Sequence, residues 1–163
     1  MDQREQLFND IYEVKYTAIY GNMCARRYSR FNCALEIAIG FLTSGVFCSF
    51  WIWEGHAKLL SAAMLLMAFV QMAFHHLDLN GAAARIRTAV RELNELYDDA
   101  LSKWRSLEAD SAPDADYGLY SGELRLRESK IVAPANDSVF SSNSIYKAAD
   151  ALARSHVRFD FNL

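Results

Sequence analysis

Two apolar runs lie back to back in the first half of the chain, at residues 33–53 and from residue 57 to about residue 74. A helix of about 20 apolar residues crosses the ~30 Å hydrocarbon layer of a membrane. Only Glu54, Gly55 and His56 separate the two runs, which is too short a connection for a folded insert. The pattern predicts a helical hairpin that crosses a bilayer twice, and this hairpin constrains every other element.

The two runs differ in strength as predicted crossings. The first contains a single charge, Glu36, and ends in aromatic residues of the kind that line membrane surfaces (Phe50, Trp51 and Trp53). The second is clearly apolar only over residues 59–74, a helix of about 24 Å that needs local thinning of the bilayer or burial against partner helices. The alternative is a soluble bundle with two apolar core helices, but neither run carries the charged stripe of a soluble helix.

Positive charges flank the hairpin on both outer sides. Three arginines precede it and three follow it: Arg26, Arg27, Arg30, Arg85, Arg87 and Arg91. The connection between the runs offers only Lys58 close by. Because positively charged residues remain on the cytoplasmic side of a membrane, both termini are predicted to be cytoplasmic.

The remaining chain predicts a mainly α fold with four parts. Residues 1–30 form a cytoplasmic N-terminal helix, residues 31–79 the transmembrane hairpin with crossings at about 33–53 and 57–77, and residues 80–110 a cytoplasmic exit helix. The first and third parts carry apolar residues at helical spacing, which predicts that they pack together. These residues are Leu7, Ile11, Val14 and Ala18, and Ile86, Val90, Leu93, Leu96, Tyr97, Ala100, Leu101, Trp104 and Leu107.

The C-terminal part, residues 111–163, is predicted to be a small α/β or irregular cytoplasmic region. Residues 117–120 and 123–131 read as two short strands around Ser121-Gly122, because Leu124 and Leu126 alternate with arginines. Residues 144–157 predict a final helix.

Polar residues within the two crossings are the candidates for lining a pore. Asn32, Glu36 and Thr43 lie within about 40° of one another on a helical wheel. Ser61, Gln71 and His75 group more loosely on the second crossing. Ionisable groups inside a membrane usually face a bundle interior or water, so these residues line an axis between several subunits, or they join helices by hydrogen bonds.

No residue pattern in the chain indicates an enzyme, a metal site or a cofactor. His75, His76 and Asp78 lack a complementary ligand set, and Cys24, Cys33 and Cys48 show no paired spacing. Hydrolase, zinc-protease, phosphate-binding and dinucleotide-binding motifs are missing from the sequence.

Basic and aromatic residues mix in the C-terminal part. Together they suit a phosphate-bearing ligand whose bases stack on rings. The candidate ligand-binding residues are Arg125, Arg127, Lys130, Tyr146, Lys147, Arg154 and Arg158. The alternative is a solvated face whose charges are balanced by nearby carboxylates.

The arrangement resembles the SLATT-type two-helix membrane effectors of bacterial conflict systems. The likeness covers roughly residues 5–107: a long N-terminal helix ending in ARRYSRF, a compact hairpin, and an exit helix with RIRTAVRELNELYDDALSKW. The resemblance implies an inner-membrane effector that responds to a nucleotide or oligonucleotide made by a partner enzyme and that permeabilises the membrane in defence against phage. It supplies no catalytic residue.

Two functional hypotheses follow from these patterns. In the first, several copies form a gated ion channel or pore in which Glu36 favours cations. In the second, the hairpin is a non-conducting anchor, and residues 111–163 recruit a soluble partner.

Overall fold

The computed structural model describes residues 2–43, 69, 79–110, 113–136 and 143–161. Helices account for nearly all of these residues. They are α1 (Gln3–Thr43), α2 (Leu79–Ala109), α3 (Asp114–Asn136) and α4 (Asn143–Asp160). The prediction of a mainly α fold is therefore confirmed, and the described ranges contain no strand.

The chain divides into two compact units. Unit 1 combines residues 1–26 with residues 83–163, and unit 2 comprises residues 27–82. Unit 1 thus contains the first part of α1, nearly all of α2, and the whole of α3 and α4.

The start of α1 follows from its capping residue. The backbone N–H of Arg4 donates to Asp2 Oδ1 at 3.2 Å, which satisfies one of the donors left open at a helix start. The helix then continues without interruption through Gly21 to Thr43. Gly21 serves packing, since a Cβ built there lies 2.8 Å from Val90 Cγ2 on α2.

The apolar stripes on α1 and α2 form the core of unit 1, as the sequence predicts. Leu7, Ile11 and Val14 are fully buried, and they share one cluster with a buried set from α2. That set is Leu93, Leu96, Tyr97, Ala100 and Leu107. The remaining residues of this cluster are Tyr117 and Leu124 from α3, Val157 from α4, and Ala18 from α1.

The prediction of two strands in residues 117–131 is wrong, because α3 covers this whole segment. Tyr117, Ser121 and Leu124 are buried at helical spacing, whereas Leu119 and Leu126 are 76% and 56% exposed. The apparent alternation arose because a buried serine and two exposed leucines conceal the helical period. The prediction of a final helix is confirmed by α4.

Unit 2 contains both predicted crossings, and its described part belongs mainly to α1. Phe31 and Ile37 on α1 are 56% and 66% exposed, and Phe69 is 72% exposed. Most of the two predicted crossings, at residues 44–68 and 70–78, lies outside the described residues. Across the described helices, no segment combines the length and the hydropathy that a membrane crossing requires.

Candidate ligand-binding site

A chain of polar contacts joins α1 to α4 within unit 1. The Tyr12 hydroxyl donates to Asp150 Oδ1 at 2.5 Å, and Arg154 Nε donates to Asp150 Oδ2 at 3.1 Å. Asp150 and Arg154 lie one turn apart on α4, a spacing at which opposite charges meet. The contacts hold Tyr12, Asp150 and Arg154 in a fixed relative position.

The charges of this link are well defined at neutral pH. Burial, followed by the hydrogen bond to Asp150, raises the pKa of Tyr12 to about 12. The hydrogen bond from Tyr12, and then the one from Arg154, lowers the pKa of Asp150. Tyr12 therefore remains a protonated donor while Asp150 remains an ionised acceptor.

A groove of about 550 Å³ opens beside this link. Its walls come from α1 (Phe8, Asn9 and Tyr12) and from α4 (Arg154, Val157 and Arg158). The two arginines are four residues apart, so their guanidinium groups emerge on the same side of α4. An anion in this groove would meet both positive charges at once.

The α1 wall supplies the other chemistry of the groove. Phe8 is held by edge-to-face contacts with Phe161, at 5.0 Å between ring centroids, and with Trp104 at 6.2 Å. Asn9 contributes an exposed amide that both donates and accepts hydrogen bonds. Two guanidinium groups, an amide and aromatic walls suit a ligand with a phosphate group and a planar ring.

The candidate Arg125 lies elsewhere and is occupied by an internal contact. Its Nε donates to Asp10 Oδ1 at 2.8 Å, and Asp10 is only 2% exposed. Ser121 also donates a short hydrogen bond to Asp10, at Oδ2. Because a buried carboxylate needs partners, these contacts join α3 to α1 as part of the fold.

The other candidates on α3 and α4 are dispersed. Arg127 contacts Glu123 Oε1 at 2.7 Å and Asp99 Oδ2 at 3.9 Å, while Lys130 and Lys147 are exposed. The ring of Tyr146 packs edge-on against Tyr16 at 5.5 Å between centroids. Of the seven candidates, the structure brings only Arg154 and Arg158 into the groove between α1 and α4.

The sequence patterns did not predict the residues that α1 contributes to the groove. Tyr12, Tyr16 and Tyr20 recur every fourth residue, a spacing that places them on one face of α1 but does not identify the helix packed against that face. Tyr12 and Asp150 are 138 residues apart in sequence, so only the folded chain juxtaposes them.

The pore-lining candidates belong to unit 2. Asn32 Nδ2 donates to Glu36 Oε1 at 2.6 Å, one turn along α1. Thr43 is the last residue of α1, whereas Ser61, Gln71 and His75 lie outside the described residues.

Among the described residues, no group of three or more histidine, cysteine, aspartate or glutamate side chains is placed to hold a metal ion. Comparison of the chain with protein-family models, curated proteins and solved structures finds no match in any of the three.

Proposed function

We propose that this chain is a ligand-controlled membrane effector. A hairpin in residues 31–79 crosses the membrane twice, several copies surround an ion-conducting axis, and the helical unit 1 reads the controlling signal on the cytoplasmic side. The proposal rests first on the two adjacent apolar runs: the first is long enough to span a bilayer, and the second spans it with local thinning or burial against partner helices.

Exposure along the second half of α1 supports the proposal. Phe31, Cys33, Ala34, Ile37 and Ala38 are all exposed, so apolar atoms cover more than one side of this helix. A helix in water buries an apolar stripe and exposes a polar one. Lipid or partner helices around residues 31–40 explain this pattern.

The proposed conducting axis uses the polar residues of the crossings. Asn32, Glu36 and Thr43 from the first crossing, with Ser61, Gln71 and His75 from the second, face the axis. Two helices do not enclose a water path, so a pore requires a homo-oligomer. An ionised Glu36 on that axis favours cations.

The proposed signal is a nucleotide or oligonucleotide bound in the groove between α1 and α4. Arg154 and Arg158 bind its phosphate, while the aromatic side chains of the groove contact its base. Because α1 contributes both to this groove and to the first apolar run, a ligand that shifts α1 alters the crossing directly. The resemblance to SLATT-type effectors favours the bacterial inner membrane and a role in defence against phage.

Ion flux from liposomes containing the purified full chain tests conduction. We expect cation flux that Glu36→Gln reduces or makes less selective. Glu5→Gln, at an exposed carboxylate in the first turn of α1, is the matched control and should leave flux unchanged. Absence of flux, together with full activity after exchange of the hairpin for an unrelated one, would favour the non-conducting anchor.

Calorimetric titration of the full chain in nonionic detergent tests the groove, with ADP as the nucleotide probe. Arg158→Gln should weaken ADP binding by about tenfold, since a charge-assisted hydrogen bond contributes roughly 1.5–3 kcal/mol before solvent screening. Lys147→Gln removes an exposed positive charge from the same helix outside the groove, and it should leave binding unchanged. Equal losses in both variants would indicate nonspecific attraction and exclude the groove as the site.

A further inference from the structure

A second, smaller cavity lies on the other side of the link between Tyr12 and Asp150. It has a volume of about 270 Å³ and belongs entirely to unit 1. Its lining comes from α1 and α4: Tyr12, Glu13, Tyr16, Thr17, Tyr146 and Asp150. Three tyrosines and two carboxylates therefore surround one small space, and none of its described lining residues is basic.

Two of the aromatic rings that line this cavity pack edge to face. The rings of Tyr16 and Tyr146 meet at 67° with their centroids 5.5 Å apart. The ring of Tyr20 stacks against that of Tyr16, with their centroids 6.1 Å apart and their planes at 24°. Since the face of an aromatic ring carries negative potential, several rings around one space favour a cation.

The carboxylates add negative charge to the same cavity. Asp150 contributes less of this charge, because Arg154 Nε lies 3.1 Å from its Oδ2 and offsets it. Glu13 is exposed and adds a second carboxylate beside the rings. The linings of the two cavities, which share Tyr12, thus differ in their charged residues: one includes Arg154 and Arg158, and the other includes Glu13 and Asp150.

We propose that this smaller cavity, the tyrosine cavity, binds a small organic cation of the alkylammonium class. An alkylammonium headgroup matches this lining, because its methyl or methylene groups contact the rings while its charge interacts mainly with Glu13, since Asp150 is paired with Arg154. An inorganic cation would instead require a cage of oxygen ligands at short distances. The inference is independent of whether the larger groove binds a nucleotide and of whether the hairpin conducts ions.

Titration of the full chain in a nonionic detergent with tetramethylammonium chloride tests the proposal. Calorimetry should show saturable binding on the order of millimolar, as expected for a small probe in an open site. Two titrations serve as controls: 3,3-dimethylbutan-1-ol, a neutral molecule with a similar branched carbon group, and sodium chloride at equal ionic strength. Equal binding of the neutral alcohol, or no saturable binding of tetramethylammonium, overturns the proposal.

Substitutions at Tyr146 separate the ring from its hydroxyl group. Tyr146 is 56% exposed, so its replacement leaves the core of unit 1 intact. Tyr146→Leu should weaken tetramethylammonium binding by about fivefold, whereas Tyr146→Phe should retain it, because the ring face carries the attraction. Phe159→Leu, at an 82% exposed ring outside the cavity, is the matched control and should bind normally.

Glu13→Gln tests the contribution of charge. This exposed residue should tolerate the change, and tetramethylammonium binding should weaken by about threefold in low salt, with a smaller difference in high salt. Unchanged affinity in both Tyr146→Leu and Glu13→Gln would place any binding outside the tyrosine cavity and overturn the assignment.

Discussion

The two halves of α1 contain similar apolar residues in opposite environments. In unit 1, Leu7, Ile11 and Val14 are fully buried against the other helices. In unit 2, Phe31 and Ile37 of the same helix are more than half exposed. The first half has a stripe of apolar residues and a polar remainder, while the second half is apolar on several sides. One helix thus carries an amphipathic pattern in its first half and exposes apolar residues on several sides in its second half.

Alanine substitution of one isoleucine in each half gives the largest expected contrast. Ile11→Ala should lower the free energy of unfolding by about 3 kcal/mol, because it removes a buried side chain and leaves a cavity. Ile37→Ala should change it by no more than about 0.5 kcal/mol, since the side chain is 66% exposed. Denaturant titration of the full chain in detergent, followed by circular dichroism, measures both. Equal losses would mean that Ile37 packs against protein.

Glycines give a second matched pair on α1. A Cβ at Gly21 lies 2.8 Å from Val90 Cγ2, so Gly21→Ala should cost a net of about 1–2 kcal/mol after the gain in helix propensity. A Cβ at Gly40 meets no described atom within 4 Å, so Gly40→Ala should raise helix stability by up to about 1 kcal/mol.

Shortening the opposing side chain checks the cause of the Gly21 effect. The double variant Gly21→Ala with Val90→Ala should recover part of the loss, because the methyl group that crowds the new Cβ is gone. A loss unchanged by the second substitution would show that close helix approach at Gly21 is not responsible. Thermal unfolding in detergent, on the same samples, supplies the comparison.

Sequence patterns predicted α1 and α2 because apolar residues recur there at helical spacing over long stretches. They failed for α3, where Ser121 occupies a buried position and Leu119 and Leu126 face outward. Ser121 is buried because Asp10 on α1 accepts its hydrogen bond. That partner is 111 residues away in sequence, so local periodicity contains no sign of it.

The candidate site shows the same division between local and distant information. Arginines at positions 154 and 158 were recognisable from the sequence, because charge and spacing are local properties. The aromatic wall from Phe8 and Tyr12 depends on α1 packing against α4, which no single segment encodes. The tyrosine cavity could not be predicted for the same reason, although the spacing of its two α1 tyrosines can be seen in the sequence.

Removal of the Tyr97 hydroxyl tests the polar contacts of unit 1. Tyr97 is 1% exposed and donates to Asp160 Oδ2 at 2.6 Å. Tyr97→Phe should therefore lower the free energy of unfolding by about 1 kcal/mol at neutral pH. In unit 2, the hydrogen bond from Asn32 to Glu36 lies at an exposed position. Asn32→Ala should therefore lower the free energy of unfolding by less than Tyr97→Phe does.

Alkaline pH should narrow the difference between Tyr97→Phe and the parent chain. Burial and the adjacent carboxylate of Asp160 raise the pKa of Tyr97 above its usual 10.0. A raised pKa contributes stability that is fully present below pH 10 and is lost as the pH rises toward the folded value. Phenylalanine does not ionise, so the variant does not lose stability in this way. Above pH 10 the free energy of unfolding of the parent chain should therefore fall toward that of the variant. A constant difference across that range would contradict this account.

Glu128→Gln should produce the smallest effect, and one of opposite sign. Glu128 is half-buried on α3 and accepts a hydrogen bond from Thr17 Oγ1 at 3.0 Å. Burial raises its pKa, and the charges of Glu13 and Asp10 add to the increase, although the Thr17 hydrogen bond opposes it. Stability is therefore greatest when Glu128 is protonated, and it declines as the pH rises through the folded pKa.

Glutamine does not ionise, so Glu128→Gln removes the loss of stability that accompanies ionisation of Glu128. Glu128→Gln should match the parent chain below pH 4.5, the ordinary pKa of the carboxyl, and should be slightly more stable at pH 7. Thr17→Val removes the opposing hydrogen bond, so it should raise the pKa of Glu128 further and steepen the loss of stability with pH. Denaturant titrations at pH 4 and pH 7 compare the three chains. Equal stability of the parent and Glu128→Gln at both pH values would mean that water reaches this carboxylate freely.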